Sequence, residues 1–173
     1  RFIVGPRLNA AGRLDDMSIG IECLLAESSA SARGFAEKLH QLNRERRDIE
    51  QSMLQDALTQ LESIDLESDA SLFAMTLYDP GWHQGVIGIL ASRIRERVHR
   101  PTLVFADAEE GMLKGSGRSI AGLHLRDVLD QVATQHPGLL TKFGGHAMAA
   151  GLSLARDDLN RFKQALNDAV AEA

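Results

Sequence analysis

One cysteine is all that this chain of 173 residues holds. Cys23 can close no internal disulfide, which fits a reducing compartment, and a cytoplasmic location is expected. No run approaches the ~20 apolar residues that span a bilayer, so no membrane partner is expected. The opening Arg1-Phe2-Ile3-Val4-Gly5-Pro6 is too short for a signal peptide before its proline. The chain begins without Met and is read as an excised piece of something longer. A basic excess is missing too. The net charge of −5 argues against a broad electrostatic grip on nucleic acid. From Ala70 to the end, eleven Lys and Arg face eleven Asp and Glu, so any phosphate binding there must be local.

Several catalytic patterns are absent as well. The six histidines show no i, i+4 pair and no Cys partner, which speaks against a zinc site. There is no Gly-x-Ser-x-Gly elbow and no Walker-type Gly-Lys-Ser/Thr, and Gly115-Ser116-Gly117 lacks the third glycine of a dinucleotide fingerprint. Asp15-Asp16 has no histidine nearby and is read as a surface turn. No metal ligands are assigned to these residues.

What is present is an ordinary globular composition, 44% hydrophobic and 25% charged, in a length that affords a useful core. Two glycine-rich stretches stand out, Lys114-Gly115-Ser116-Gly117-Arg118-Ser119 and Lys142-Phe143-Gly144-Gly145-His146-Ala147-Met148-Ala149-Ala150-Gly151. Glycine is costly to order, so clusters of it need a reason. In the first stretch, Gly115 and Gly117 are expected to free backbone amides into a concave turn that suits anions. Arg118 adds a planar fork matched to phosphate, and Ser116 and Ser119 add hydroxyls. In the second, His146 to Ala150 is a run of helix formers, so Gly144, Gly145 and His146 are expected at the positive end of a short helix. The bland alternative for both is a tight turn with no ligand.

Along the chain, residues 1–16 are rich in Gly, Pro, Asn and Arg and predict extended chain and turns. Arg7, Asn9 and Arg13 sit there among small residues, with room to reach outward. Ser18 is placed as the cap of a helix ending near Glu27. Between Ser31 and Ile64 there is no proline, and apolar residues at Phe35, Leu39, Leu42, Ile49, Met53, Ala57 and Leu61 form one narrow stripe interrupted at Arg46. That predicts a helix of about 45 Å linking two packing units. Glu62, Asp65, Glu67 and Asp69 follow without a base. Beyond them, strands at 71–77, 102–106, 112–116 and 151–155 alternate with helices at 86–98 and 125–133 and a last helix capped by Asp157. The fold class is thus mixed α/β over 70–173, preceded by the long helix over 29–69 and an appendage over 1–28. His83, beside Trp82, is placed either as a strand contact, by stacking or donation, or as half of a buried Trp-His pair.

The second glycine stretch resembles the Gly-Gly-His signature of the DHH-associated domain of DHH-family phosphoesterases. With Trp82-His83-Gln84-Gly85-Val86-Ile87-Gly88 and Gly5-Pro6-Arg7-Leu8-Asn9-Ala10-Ala11-Gly12-Arg13, in this order, the chain is similar to the RecJ branch of 5′-to-3′ single-strand-specific exonucleases. The resemblance implies DNA repair and recombination, Mn²⁺ or Mg²⁺ in the full-length enzyme, and single-stranded DNA as partner. A single-strand-binding protein and a repair helicase are further partners it suggests. It makes residues 1–28 the end of the catalytic domain and His146 the catalytic contact, donating to a phosphate oxygen near the scissile bond. Arg118, Gly144 and Gly145, and then Arg7, Asn9 and Arg13, are the implied strand contacts. The family's Asp-x-Asp and Asp-His-His motifs are absent, so the piece alone is expected to cut nothing and to bind no metal. A relative that cleaves short oligoribonucleotides or cyclic dinucleotides, and a non-catalytic nucleic-acid-binding module, stay open.

Overall fold

A computed structural model describes residues 3–64 and 71–173; the acids Asp65, Glu67 and Asp69, and the expected boundary at 70, lie outside the described residues. The chain divides into two compact units, Arg1–Ser52 and Met53–Ala173.

In the first unit, α1 (Val4–Leu14) and α2 (Ser18–Leu25) precede the start of α3 (Ser29–Glu62). The extended segment expected over residues 1–16 is therefore a helix instead. Ala10 and Ala11 are fully buried in it, and that burial outweighs the poor propensity of Gly5, Asn9 and Gly12. The glycines serve helix packing. A Cβ at Gly12 would lie 2.7 Å from Met17 Cε, and one at Gly20 would lie 3.2 Å from Leu8 Cδ2. Ser18 opens α2 as its first residue and caps nothing; its N–H donates to Asp16 Oδ1 at 2.9 Å.

α3 runs unbroken through 34 residues, about 51 Å at 1.5 Å per residue. Leu39 and Asn43 are its buried residues before Ser52, and Met53, Ala57 and Leu61 those after it. At the interrupted position Arg46 pairs with Glu50, while its Nη2 donates to Asn43 Oδ1 at 3.2 Å. The stripe thus stays in phase through a polar turn.

The second unit is built on a five-stranded sheet of order β1-β2-β3-β5-β4: β1 (Met75–Tyr78), β2 (Thr102–Asp107), β3 (Met112–Arg118), β4 (Lys142–Gly145) and β5 (Ala149–Ala155). Only β1 and β2 run parallel; the other pairs are antiparallel. The crossover between the parallel pair is α4 (Ile87–Val98), whose Ile87, Leu90, Ala91, Ile94 and Val98 are buried. On the opposite face α5 (Leu125–Gln135) and α6 (Leu159–Glu172) pack over Leu103, Phe105, Leu113, Leu152 and Leu154. Phe105 meets Phe162 edge to face with ring centroids 5.5 Å apart. Asn167 of α6 ties down the approach to β1. Its Oδ1 accepts from Phe73 N at 2.7 Å and Ala74 N at 3.2 Å, and its Nδ2 donates to Ser71 O at 2.9 Å.

β4 was not expected. Lys-Phe-Gly-Gly has little strand propensity, and pairing to β5 and the packing of Phe143 against the core make it a strand. The helix expected over His146–Ala150 does not form; a tight turn leads from Gly145 into β5.

Candidate nucleic-acid interface

Strand alternation sorts the first glycine stretch between two faces. Gly115 and Gly117 point into the core. A Cβ at Gly115 would lie 2.4 Å from Phe105 Cε1, and one at Gly117 would lie 2.7 Å from Leu125 Cδ2. Both are paired on either side, to β2 and β5, so they form no concave nest. They are glycine because the core leaves no room. The anion-binding role expected of Gly117 therefore rests on its neighbours.

Lys114, Ser116 and Arg118 are on the other face. Arg118 Nη1 donates to Gly117 O at 2.8 Å and to Ser116 Oγ at 3.2 Å. The first turn of α4 comes up against this pair: a Cβ at Gly88 would lie 2.9 Å from Arg118 Nη2 and 3.0 Å from Ser116 Oγ. Ser119 leaves the candidate contacts. It is fully buried and its hydroxyl donates to Leu123 O at 2.7 Å.

The second glycine stretch closes the same end of the sheet. Arg118 is the register partner of Ala149, and His146 N–H donates to Ala149 O at 2.8 Å. Two further bonds hold this turn: Ser119 N–H donates to Met148 O at 3.0 Å and Leu125 N–H to Ala147 O at 2.9 Å. An amide at the start of α5 is thereby used on the turn. His146 itself is exposed, and with no helix behind it the helix-dipole argument for Gly145 and His146 falls. Gly145 has φ +151°, and a Cβ there would lie 2.4 Å from Ala149 O, so the turn demands glycine. Gly144 is exposed, and a Cβ there would have nothing within 4 Å.

His83 is exposed while Trp82 is buried, so they form no buried pair. His83 Nδ1 accepts from Gly85 N–H at 3.0 Å, and its carbonyl accepts from Val86 and Ile87 N–H. This places His83 at the end of α4 that meets Arg118. Arg7, Asn9 and Arg13 are in the other unit, on α1. Arg7 Nη1 donates to Ile3 O at 2.5 Å, and its Nη2 lies 3.0 Å from His40 Nδ1. Asn9 and Arg13, four apart, share one side of α1, and Arg7 is about 200° from Asn9.

Two residues escaped the sequence expectations. Lys114, Ser153 and Lys142 form one row across β3, β5 and β4, and Ser116, Gly151 and Gly144 form the next. Lys114, Lys142, Gly144 and Gly151 are exposed and line a shallow groove of about 350 Å³ with Ser153. The signal was available in the spacing: Lys114 is two before Ser116, and Lys142 two before Gly144. The groove and the Arg118 end make an open, cation-edged sheet face.

Among the described residues no three of His, Cys, Asp and Glu come together as a metal set, so these residues do not fit a divalent-cation site. No helix among them is long and apolar enough to cross a membrane.

The DHHA1 domain family matches residues 69–172. Over 171 residues the chain is 57% identical to the single-stranded-DNA-specific exonuclease RecJ of Dickeya dadantii and 54% identical to that of Escherichia coli. Each match covers 99% of this chain and 30% of the relative's length. Crystal structures of RecJ from Thermus thermophilus, in complex with Mg²⁺ and with Mn²⁺, superpose with a TM-score of 0.83 at 33% identity. They cover 98% of this chain, which spans about a quarter of theirs.

Proposed function

The chain belongs to the DHHA1 domain family, and we propose that it is the substrate-binding part of a metal-dependent, single-strand-specific 5′-to-3′ DNA exonuclease of repair and recombination. The observation that carries this reading is the convergence of Arg118, Ser116, the first turn of α4 and His146 at one end of an open sheet face. A planar guanidinium beside a hydroxyl suits a phosphate oxygen pair. His146, exposed at the turn, is free to donate to a non-bridging oxygen near the scissile bond and so stabilise developing charge. The relatives' specificity for single-stranded DNA supports the same substrate.

The metal, Mn²⁺ or Mg²⁺, would be held by another part of the longer protein and would supply Lewis-acid chemistry there. This chain's residues hold and orient the strand. Ser119 shapes the turn beneath them, and His83 orders the loop at the α4 end. Residues 1–28 close the catalytic domain, α3 connects it to residues 70–173, and Asn9 and Arg13 are secondary strand contacts. Single-strand-binding protein and a repair helicase are the partners this role calls for, in the cytoplasm.

The test is His146→Ala in the full-length protein with Mn²⁺ and labelled single-stranded DNA. Turnover per folded molecule should fall about 10²–10³-fold, as when an oxyanion donor is removed, with strand affinity nearly unchanged. Wild-type turnover in this variant would make the histidine structural. Preference for short oligoribonucleotides or cyclic dinucleotides over DNA would favour the other enzyme class.

A further inference from the structure

The five glycines of the two stretches divide into those that the fold forces and those that it does not. Gly115 and Gly117 are forced by the core, and Gly145 by its turn. Gly144 is not: a Cβ there meets nothing within 4 Å. Gly151, its register partner, behaves alike, since a Cβ would meet only Gly115 O at 3.8 Å, an ordinary contact. Nothing in the fold excludes a side chain at either position. Their bare backbone forms the centre of the groove, with Ser116 at one end of their row and Lys114, Ser153 and Lys142 in the row beside it.

We propose that Lys114 and Lys142 hold the phosphate one nucleotide away from the one at Arg118 and Ser116, with the sugar and base between them lying flat on Gly144 and Gly151. This rests on the reading of the face as a single-strand interface. Two observations carry it beyond that reading. The first is distance: Lys114 and Ser116 are two residues apart on one strand, about 7 Å. Neighbouring phosphates of one strand lie about this far apart through space, so the two rows match consecutive phosphates. The second is shape: a floor without side chains admits a flat ring against the backbone, and two lysines at its rim meet the charge that follows. The groove therefore reads charge and the flat shape of a ring.

The experiment measures binding of fluorescent oligothymidylate of about twelve nucleotides to the full-length protein in EDTA, over a range of salt concentrations. Lys114→Ala and Lys142→Ala together should make the slope of log K against log salt shallower by about 0.7, the contribution of the one phosphate they share, and each alone by part of that. Lys→Arg at either position should restore it. Gly144→Val should weaken the strand at least tenfold with the melting temperature unchanged. Competing thymidine 5′-monophosphate, which has one phosphate, should bind both lysine variants within twofold of wild type, while Arg118→Ala weakens both ligands. Lysine variants that keep the wild-type slope, beside an Arg118→Ala variant that does not, would overturn this subsite alone. A wild-type protein that ignores single strands, or an Arg118→Ala variant without effect, would overturn the interface itself and this subsite with it.

Discussion

His146 and Ala149 share a backbone hydrogen bond of 2.8 Å, and Ala149 is the β-sheet partner of Arg118. The imidazole and the guanidinium of the two glycine stretches thus come from one continuous ladder, although 28 residues separate them in the chain. A change in the turn is felt at the interface through backbone geometry and not only through lost side-chain atoms.

That relationship separates two neighbouring glycines. Gly145→Ala puts a side chain at a positive φ and against Ala149 O, which should cost about 1–3 kcal/mol. Gly144→Ala should stay within about 0.5 kcal/mol of wild type. Urea denaturation of the two variants checks the difference. Equal losses would mean that the turn is held differently.

Gly115→Ala should also destabilise, because Phe105 and Leu152 lie 2.4 Å and 2.8 Å from the new Cβ. Overpacking of this kind costs about 1–3 kcal/mol. Thermal melts of this variant, alone and with Phe105→Leu, are the measurement. The second change should recover part of the loss.

The helix–strand tie made by Asn167 should be worth about 1–3 kcal/mol, since Asn167→Ala strands the Phe73 and Ala74 N–H groups. Asn167→Asp keeps that acceptor and loses only the bond to Ser71 O, so it should lose less. Chemical denaturation of both variants ranks them.

Tyr78 donates to Asp107 Oδ1 at 2.7 Å, and Asp107 is also paired with Arg156 at 2.5 Å. Burial first, then the hydrogen bond to Asp107, raises the Tyr78 phenol above its ordinary value. A raised pKa means that its stabilisation is fully present below the unfolded value of about 10 and is lost as pH rises through the folded one. Tyr78→Phe should cost about 1.5 kcal/mol at pH 8, and the gap to wild type should narrow above pH 10. A gap that is constant across that range would show that the hydroxyl contributes nothing through its proton.

Helices α3 to α6 were legible in the sequence because each carries a periodic apolar stripe whose burial does not depend on fine detail. The strands at Thr102 and Met112 were legible for a similar reason. α1 was not, because Gly-Pro-Arg-Leu-Asn has poor helix propensity and folds through burial of Ala10 and Ala11. β4 was not, because pairing with β5, which no local pattern records, makes a strand of Lys142–Gly145. The same gap explains the interface. Arg118 and His146 stood out by type, but glycines that face the core and glycines that face solvent look identical until register assigns the faces. Lys114 and Lys142 gain meaning only from that assignment.

The central claim is that this sheet face holds a single strand through a few local cations. Its most direct measurement is the salt dependence of single-stranded oligothymidylate binding to the full-length protein, wild type against Arg118→Ala, in EDTA. Two phosphates, one at Arg118 and one shared by Lys114 and Lys142, predict a slope of about −1.4 for wild type at ~0.7 per phosphate, and about −0.7 for the variant with weaker binding at every salt concentration. Identical slopes and affinities for the two proteins would contradict the account.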